Sequence, residues 1–85
     1  MDEGYVEMVD MERGLIAVRL RDTSSYCVLQ LLGGNGPEPR QRLRFEIHDS
    51  GEGILVGDQG ETAAVSLLRA HCSRDEAQQL LDALP

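Results

Sequence analysis

Residues 4–20, GYVEMVDMERGLIAVRL, predict two β-strands joined by a short polar turn. In the first strand, alternation predicts Val6 and Met8 on one face, and Tyr5, Glu7 and Val9 on the other. In the second strand, alternation predicts one face made of Ile16, Val18 and Leu20. The opposite face is then made of Ala17, Arg19 and Arg21. The turn between them is charged and ends in a glycine, which can adopt a positive φ. We therefore expect one row of each strand to face a core and the other to face water.

The remainder of the chain predicts more short strands separated by turns. These further strands are expected at Tyr26–Leu32, Arg40–His48, Ile54–Val56 and Glu61–Ala70. The strand from Tyr26 is apolar at nearly every position, which indicates burial on both faces or a bend at a barrel corner. Residues 61–70 fit either a strand or a helix, and we favour a strand because Ile54–Val56 needs a hairpin partner. Residues 33–39 hold three glycines and two prolines, so we expect a connecting loop without paired strand or helix.

A helix is predicted at the C-terminal end of the chain. Ser73 and Glu76 have the spacing of a capping box, in which each side chain bonds the other residue's backbone N–H. An apolar stripe then follows at helical spacing, formed by Ala77, Leu80, Leu81 and Leu84. A helix this short needs a packing partner in water. That partner is either the side or end of the protein's own barrel, or a second copy of the protein.

Together these elements predict a mainly β protein. Many short strands with glycine-rich turns favour a small antiparallel barrel of five or six strands, OB-like or SH3-like, with one C-terminal amphipathic helix. The chain has 85 residues, which is the size of a single domain. We expect the barrel to span about residues 4–70 and the helix about residues 74–84.

Charge and cysteine content restrict the possible functions. The chain carries 8 basic and 15 acidic residues, a net charge of −7, and every basic residue is arginine. Such a charge repels phosphate backbones at long range and disfavours nucleic acid as the partner. Two cysteines, Cys27 and Cys72, show no metal-binding or dithiol spacing, and no apolar run is long enough to span a membrane. We expect a cytoplasmic protein without membrane association, with both thiols reduced and Cys27 in the core.

The opening of the chain resembles the cold-shock branch of the OB-fold barrels. The resemblance rests on a glycine, a valine, an apolar pair, an aspartate and a basic residue with glycine, here Gly4, Val6, Met8-Val9, Asp10 and Arg13-Gly14. It implies a barrel whose first strands present stacking aromatic rings and a lysine to nucleic acid. The corresponding positions here hold Met8, Val9, Leu15 and Ala17, with Glu7 in place of the lysine. Stacking on a ring contributes about 1–3 kcal/mol per base, so this sequence lacks most of that binding surface.

Two sets of residues are candidates for binding. The first is an arginine patch for an anion or an acidic partner, made of Arg19, Arg21, Arg40, Arg42 and Arg44. Alternation from Arg40 to His48 predicts that Leu43 and Phe45 face the core and that the three arginines of this strand face outward. The alternative for these arginines is cross-strand pairing with Glu7, Glu46 and neighbouring acids. The second set is a candidate interface on the helix, made of Leu80, Leu81 and Leu84.

The candidate residues for catalysis or metal binding are weaker. His48-Asp49 and His71-Cys72 could act in catalysis or bind metal only if the fold brought them together, and their spacing does not predict this. We therefore predict no catalytic residues, no metal site and no cofactor. The favoured hypothesis is a non-enzymatic module that binds a protein and is a monomer or weak homodimer. The alternative is an RNA or single-stranded DNA binder that uses the arginine patch.

Overall fold

The computed structural model describes residues 2–34, 37 and 40–83. These residues form six strands followed by one helix. The elements are β1 Asp2–Asp10, β2 Leu15–Leu20, β3 Tyr26–Gly34, β4 Arg42–Ile47, β5 Glu52–Gly57, β6 Thr62–Cys72 and α1 Arg74–Ala83.

The six strands close an antiparallel barrel with the order β1-β2-β3-β6-β5-β4. β1 closes it, because its first residues pair with β4 while the strand also pairs with β2 along most of its length. The predicted fold class is therefore confirmed. Residues 61–70 were ambiguous by pattern, and they lie in β6, where Ala63 and Val65 face the interior. This strand pairs with β5 on one side and with β3 on the other.

A β-bulge at Glu7 changes the predicted faces of β1. The pairing with β2 shifts between Val6 and Met8, so one extra residue is inserted in β1. Val6 and Val9 consequently pack in the barrel interior, whereas Met8 faces outward against the helix. The prediction that Val6 and Met8 share a face is wrong, because alternation reverses across a bulge.

The core has two layers separated by the sheet. The barrel interior is filled by side chains from all six strands, among them Val6, Ile16, Val18, Leu29, Phe45, Leu55 and Val65. The second layer lies between the outer surface of the barrel and α1, and contains Leu15, Ala17, Tyr26, Val28, Cys72, Ala77 and Leu81. β3 contributes to both layers, which confirms the predicted burial on both of its faces.

The helix begins at the predicted capping box. The Glu76 backbone N–H donates to Ser73 Oγ at 3.1 Å, and the Ser73 backbone N–H donates to Glu76 Oε1 at 3.3 Å. At the other end, Arg13 Nη1 donates to the backbone carbonyl of Leu81 at 2.7 Å. This bond satisfies a carbonyl in the last turn that has no partner within the helix. The capping box sets where α1 begins, and the bond from Arg13 ties its last turn to the turn between β1 and β2.

Several predicted strand boundaries differ from the structure. β5 spans Glu52–Gly57 rather than Ile54–Val56, β6 continues to Cys72, and two further differences lie within residues 33–42. Gly33 and Gly34 belong to β3 and pair with Ala64 and Ala63, so the expected loop without paired strand is wrong at its first two residues. Glycine is tolerated there because a bulge between Leu31 and Gly33 adjusts the pairing. Residues 35, 36, 38 and 39 of that loop lie outside the described residues. Arg40 has a φ of 69° in a turn, so β4 starts at Arg42 rather than at Arg40.

Substitution of Gly53 should test the close approach of β5 to β4. A Cβ at Gly53 would overlap the carbonyl of Glu46, which belongs to the backbone and cannot rotate away. We expect Gly53→Ala to lower the free energy of unfolding by about 1–3 kcal/mol, as overpacking does. Gly33→Ala is the control, because its Cβ would meet nothing within 4 Å. Equal urea midpoints for the two variants would contradict this packing.

Truncation of Leu81 should test the docking of the helix. Leu81 is 6% exposed in the layer beneath α1, whereas Leu68 on β6 is 39% exposed. We expect Leu81→Ala to lower the free energy of unfolding by about 2–4 kcal/mol, because it leaves a cavity. Leu68→Ala should change it by less than about 1 kcal/mol, since its side chain is already partly in water. A smaller loss for Leu81→Ala than for Leu68→Ala would show that the helix does not pack in this way.

Candidate functional site

An open groove on the outside of the barrel gathers four of the five arginines of the predicted patch. Its volume is about 1050 Å³, and its lining includes Arg19, Arg21, Arg42 and Arg44. Arg42 and Arg44 alternate along β4 with buried Leu43 and Phe45, so both project outward as predicted. Arg40, the fifth arginine of the predicted patch, lies in the preceding turn and is not among the lining residues.

The strand register arranges this surface, which we call the arginine groove, in two rows. In the first row Tyr5 on β1 lies opposite Arg42 of β4 on one side and Arg19 of β2 on the other. In the second row Glu3 lies opposite Arg44, and its backbone carbonyl accepts from the Arg21 N–H at 3.0 Å. Side chains directly opposite on neighbouring strands have their Cβ atoms about 5 Å apart. The arginines of each row therefore flank one central residue of β1.

Two of the four arginines are held by carboxylates. Arg21 Nη1 donates to Glu3 Oε2 at 2.6 Å, and this bond raises the pKa of Arg21 above its ordinary value. Arg19 Nε lies 3.4 Å from Glu7 Oε1, and its guanidinium lies 5.7 Å from the centre of the Tyr5 ring. The cross-strand pairing that the sequence offered as an alternative thus accounts for Arg19 and Arg21.

Arg42 and Arg44 differ from that pair. Within the part of the chain that the structure describes, neither forms an ion pair. Among the described residues, the lining of the arginine groove contains four guanidiniums and two carboxylates, those of Glu3 and Asp58. A locally positive surface therefore exists on a molecule with a net charge of −7.

Contacts within the chain cover the positions that the resemblance to cold-shock domains matched to stacking rings and a lysine. Met8, Leu15 and Ala17 lie in the layer beneath α1, and Val9 packs in the barrel interior. Glu7, at the position of the lysine, accepts a hydrogen bond from the Tyr26 hydroxyl at 2.7 Å and lies 3.5 Å from Arg74 Nε. These positions are occupied by contacts within the chain.

Tyr26 does not offer an exposed ring either. It is buried in the layer beneath α1, and burial raises the pKa of its phenol, with a further contribution from the hydrogen bond to Glu7. Among the chain's two tyrosines and its phenylalanine, only Tyr5 lies in the arginine groove. The sequence did not predict that Tyr5 lies among these arginines. Its position follows from the pairing of β1 with β2 and β4, which is known only once the strands are assembled.

Two of the three leucines of the candidate interface pack against the protein's own barrel. Leu81 is buried beneath α1, and Leu80 is half-buried against the same layer. Leu84 lies outside the described residues. The apolar stripe thus has an internal partner, and its use as an interface stays a prediction.

The histidines and cysteines occupy separate environments. His48 follows β4 and His71 lies near the end of β6, and both are exposed. Cys27 is buried inside the barrel and Cys72 beneath the helix, where its thiol donates to the Tyr26 carbonyl at 3.3 Å. Within residues 2–34, 37 and 40–83, no group of three or more His, Cys, Asp or Glu side chains is placed to hold a metal ion.

The chain matches no protein-family model, and no curated protein or solved structure is significantly similar to it. None of its described helical segments has the length and apolar character needed to cross a bilayer. The arginine groove is therefore interpreted from its own geometry.

Both thiols should be unreactive in the folded protein. Burial raises the pKa of Cys27 and of Cys72 above the ordinary value of 9.0, and the thiolate is the reactive form. At pH 8 we expect a thiol-reactive dye to label both at least about a hundredfold more slowly in buffer than in denaturant.

The same shifts predict a dependence of stability on pH. The pKa of each thiol is higher in the folded state than in the unfolded state. The contribution of the buried thiols to the free energy of unfolding is therefore fully present below about pH 9, and it declines as the pH rises through the folded-state pKa. Unfolding midpoints measured from pH 8 to 10.5 should fall more for the natural chain than for Cys27→Ala/Cys72→Ala. Rapid native labelling, or parallel pH curves, would contradict the burial of these thiols.

Proposed function

We propose that this protein is a non-enzymatic binding module whose arginine groove binds a short acidic segment of a partner protein. The observation that carries this proposal is that Arg42 and Arg44 face the groove side by side and form no ion pair with another described residue. Guanidinium groups are planar forks that bind carboxylates through two parallel hydrogen bonds. Acidic motifs are commonly recognised by such arginine clusters.

The charge distribution favours a short segment over a long polyanion. The carboxylates of Glu3 and Asp58 also line the arginine groove and limit its positive charge. The whole chain has a net charge of −7. A nucleic acid brings many phosphates close to the acidic surroundings, and its repulsion grows with length. Single-strand binding also relies on several stacking rings, whereas the groove contains only Tyr5 among the chain's three aromatic residues.

A role without catalysis is supported by the positions of the reactive side chains. Each cysteine is buried in a different layer of the core. The two histidines are exposed, each near the end of a different strand. A nucleophile needs a general base within hydrogen-bond distance. The lining of the arginine groove includes no histidine and no cysteine.

Three further properties belong to the same proposal. Kinship with the cold-shock branch of the OB-fold is supported by the first hairpin, where Gly14 has a φ of 67°. A cytoplasmic location is supported by two free cysteines that form no disulfide. A monomer or weak homodimer is supported by the internal packing of Leu81, which removes much of the helix stripe from the surface.

Peptide binding should test the role of the arginine groove. We expect a fluorescent peptide rich in Asp and Glu to bind, and the same peptide with Lys at those positions not to bind. Arg42→Ala and Arg44→Ala should each weaken binding by about tenfold, as loss of a charge-assisted hydrogen bond does. Fluorescence anisotropy at low salt measures this directly.

Arg69→Ala is the matched control for these variants. Arg69 is exposed on β6, pairs with Glu76 at 3.5 Å and is not part of the arginine groove. The substitution Arg69→Ala therefore removes one positive charge at a site outside the groove. Its effect on peptide affinity should be less than about twofold. Equal losses in all three variants would mean that only net charge matters. Tighter binding of a mixed-sequence single-stranded oligonucleotide, with steep salt dependence, would favour the nucleic-acid alternative.

A further inference from the structure

The two rows of the arginine groove differ at their centres. Glu3 on β1 lies opposite Arg44 and is bonded by Arg21, so the second row contains its own carboxylate between two guanidiniums. In the first row the equivalent position is Tyr5, which lies between Arg42 and Arg19 and carries no negative charge. Arg19 is held by Glu7, whereas Arg42 has no ion pair within the described residues. The first row thus repeats the arginine arrangement without the central anion.

We propose that the surface beside Tyr5 and within reach of Arg42 and Arg44, the two groove arginines without an ion pair to a described residue, binds a phosphate monoester carried by the partner segment. This inference rests on the proposed function, because it specifies the acidic group that the arginine groove recognises. A phosphorylated serine, threonine or tyrosine is such a monoester.

The charge of the site matches a dianion. Arg42 and Arg44 are two residues apart on one face of β4, so their Cα atoms are about 6.5 Å apart and both side chains reach a common anion. They supply two positive charges that form no ion pair with a described residue. A phosphate monoester carries about −1.5 to −2 at pH 7 and has three terminal acceptor oxygens. A carboxylate or a phosphodiester brings only one negative charge, and a carboxylate has two oxygens for the two forks.

Arginine is well suited to this geometry. Its five N–H donors form a rigid fork that binds phosphate through paired hydrogen bonds, and it keeps its charge at all physiological pH values. The other charged groups in the described part of the groove lining are Arg19, Arg21, Glu3 and Asp58. Guanidinium and carboxylate groups ordinarily titrate outside the range from pH 5.5 to 7.5, whereas the second ionisation of a phosphate monoester lies near pH 6. A change in affinity across this range therefore reports the ligand's phosphate.

Three peptides of one sequence test the proposal, with phosphoserine, glutamate or serine at a single central position flanked by other acidic residues. At pH 7.5 we expect the phosphoserine peptide to bind about tenfold more tightly than the glutamate peptide. That advantage should shrink by about threefold or more at pH 5.5, where the phosphate is mostly a monoanion. Inorganic phosphate at millimolar concentration should compete for the site.

The variants separate this site from general electrostatic attraction. Arg42→Gln and, independently, Arg44→Gln should reduce the preference for phosphoserine over glutamate to less than about threefold, and Arg69→Gln should leave it unchanged. All three positions are exposed, and the unfolding midpoint of each variant confirms that it folds.

The outcomes distinguish this inference from the proposed function. If the glutamate and phosphoserine peptides bind equally well at pH 7.5, and both depend on Arg42, the inference is wrong while the proposed function holds. If no acidic peptide binds, both are wrong. Preferential binding to vesicles that contain phosphatidic acid, or to a mixed oligonucleotide, would show that the phosphate does not come from a protein segment.

Discussion

β1 pairs with β4 through residues 2–5 and with β2 through residues 4–10, and this double pairing closes the barrel. The strand therefore places Glu3 and Tyr5 between two neighbouring strands, each of which carries outward-facing arginines. Closure also removes the free sheet edges that would otherwise invite pairing with other chains. The arginine groove is a direct result of this closure, because β4 and β2 are distant in sequence and meet only across β1.

The bulge at Glu7 connects the arginine groove with the helix. An inserted residue reverses the alternation of β1, so that Met8 faces α1 while Val9 enters the interior. The Glu7 carboxylate accepts from the Tyr26 hydroxyl and lies within 3.5 Å of nitrogen atoms of Arg19 and Arg74. One carboxylate therefore orients an arginine of the groove and an arginine of the first helical turn.

If the arginine groove binds anions as proposed, the charge of the whole chain should restrict which anions reach it. At long range the net charge of −7 opposes the approach of any polyanion, whereas contacts inside the groove are short and weakly screened. On this proposal, a ligand with one or two negative charges would gain the local contacts and would meet little of the surrounding repulsion. The helix strengthens this restriction, because it covers the surface where Met8, Leu15 and Ala17 would otherwise form a second exposed face.

The sequence by itself determined the elements whose signals are local. Alternation in β4 correctly predicted that Leu43 and Phe45 are buried and that Arg42 and Arg44 face outward. The capping box of Ser73 and Glu76 likewise depends on residues three apart, and both of its hydrogen bonds are present. The structure brings four of the five arginines of the predicted patch into one groove, and the use of that patch in binding stays a prediction.

Only the tertiary structure decided the features that depend on pairing between distant residues. The bulge at Glu7 and the continuation of β3 through Gly33 and Gly34 follow from the register with β2 and β6, which local propensity does not encode. Arg40 was expected to join the patch, but a positive φ places it in a turn before β4. The position of Tyr5 between Arg42 and Arg19 arises from two strand pairings at once. Side-chain periodicity fixes which face a residue occupies, whereas barrel closure fixes its neighbours on that face.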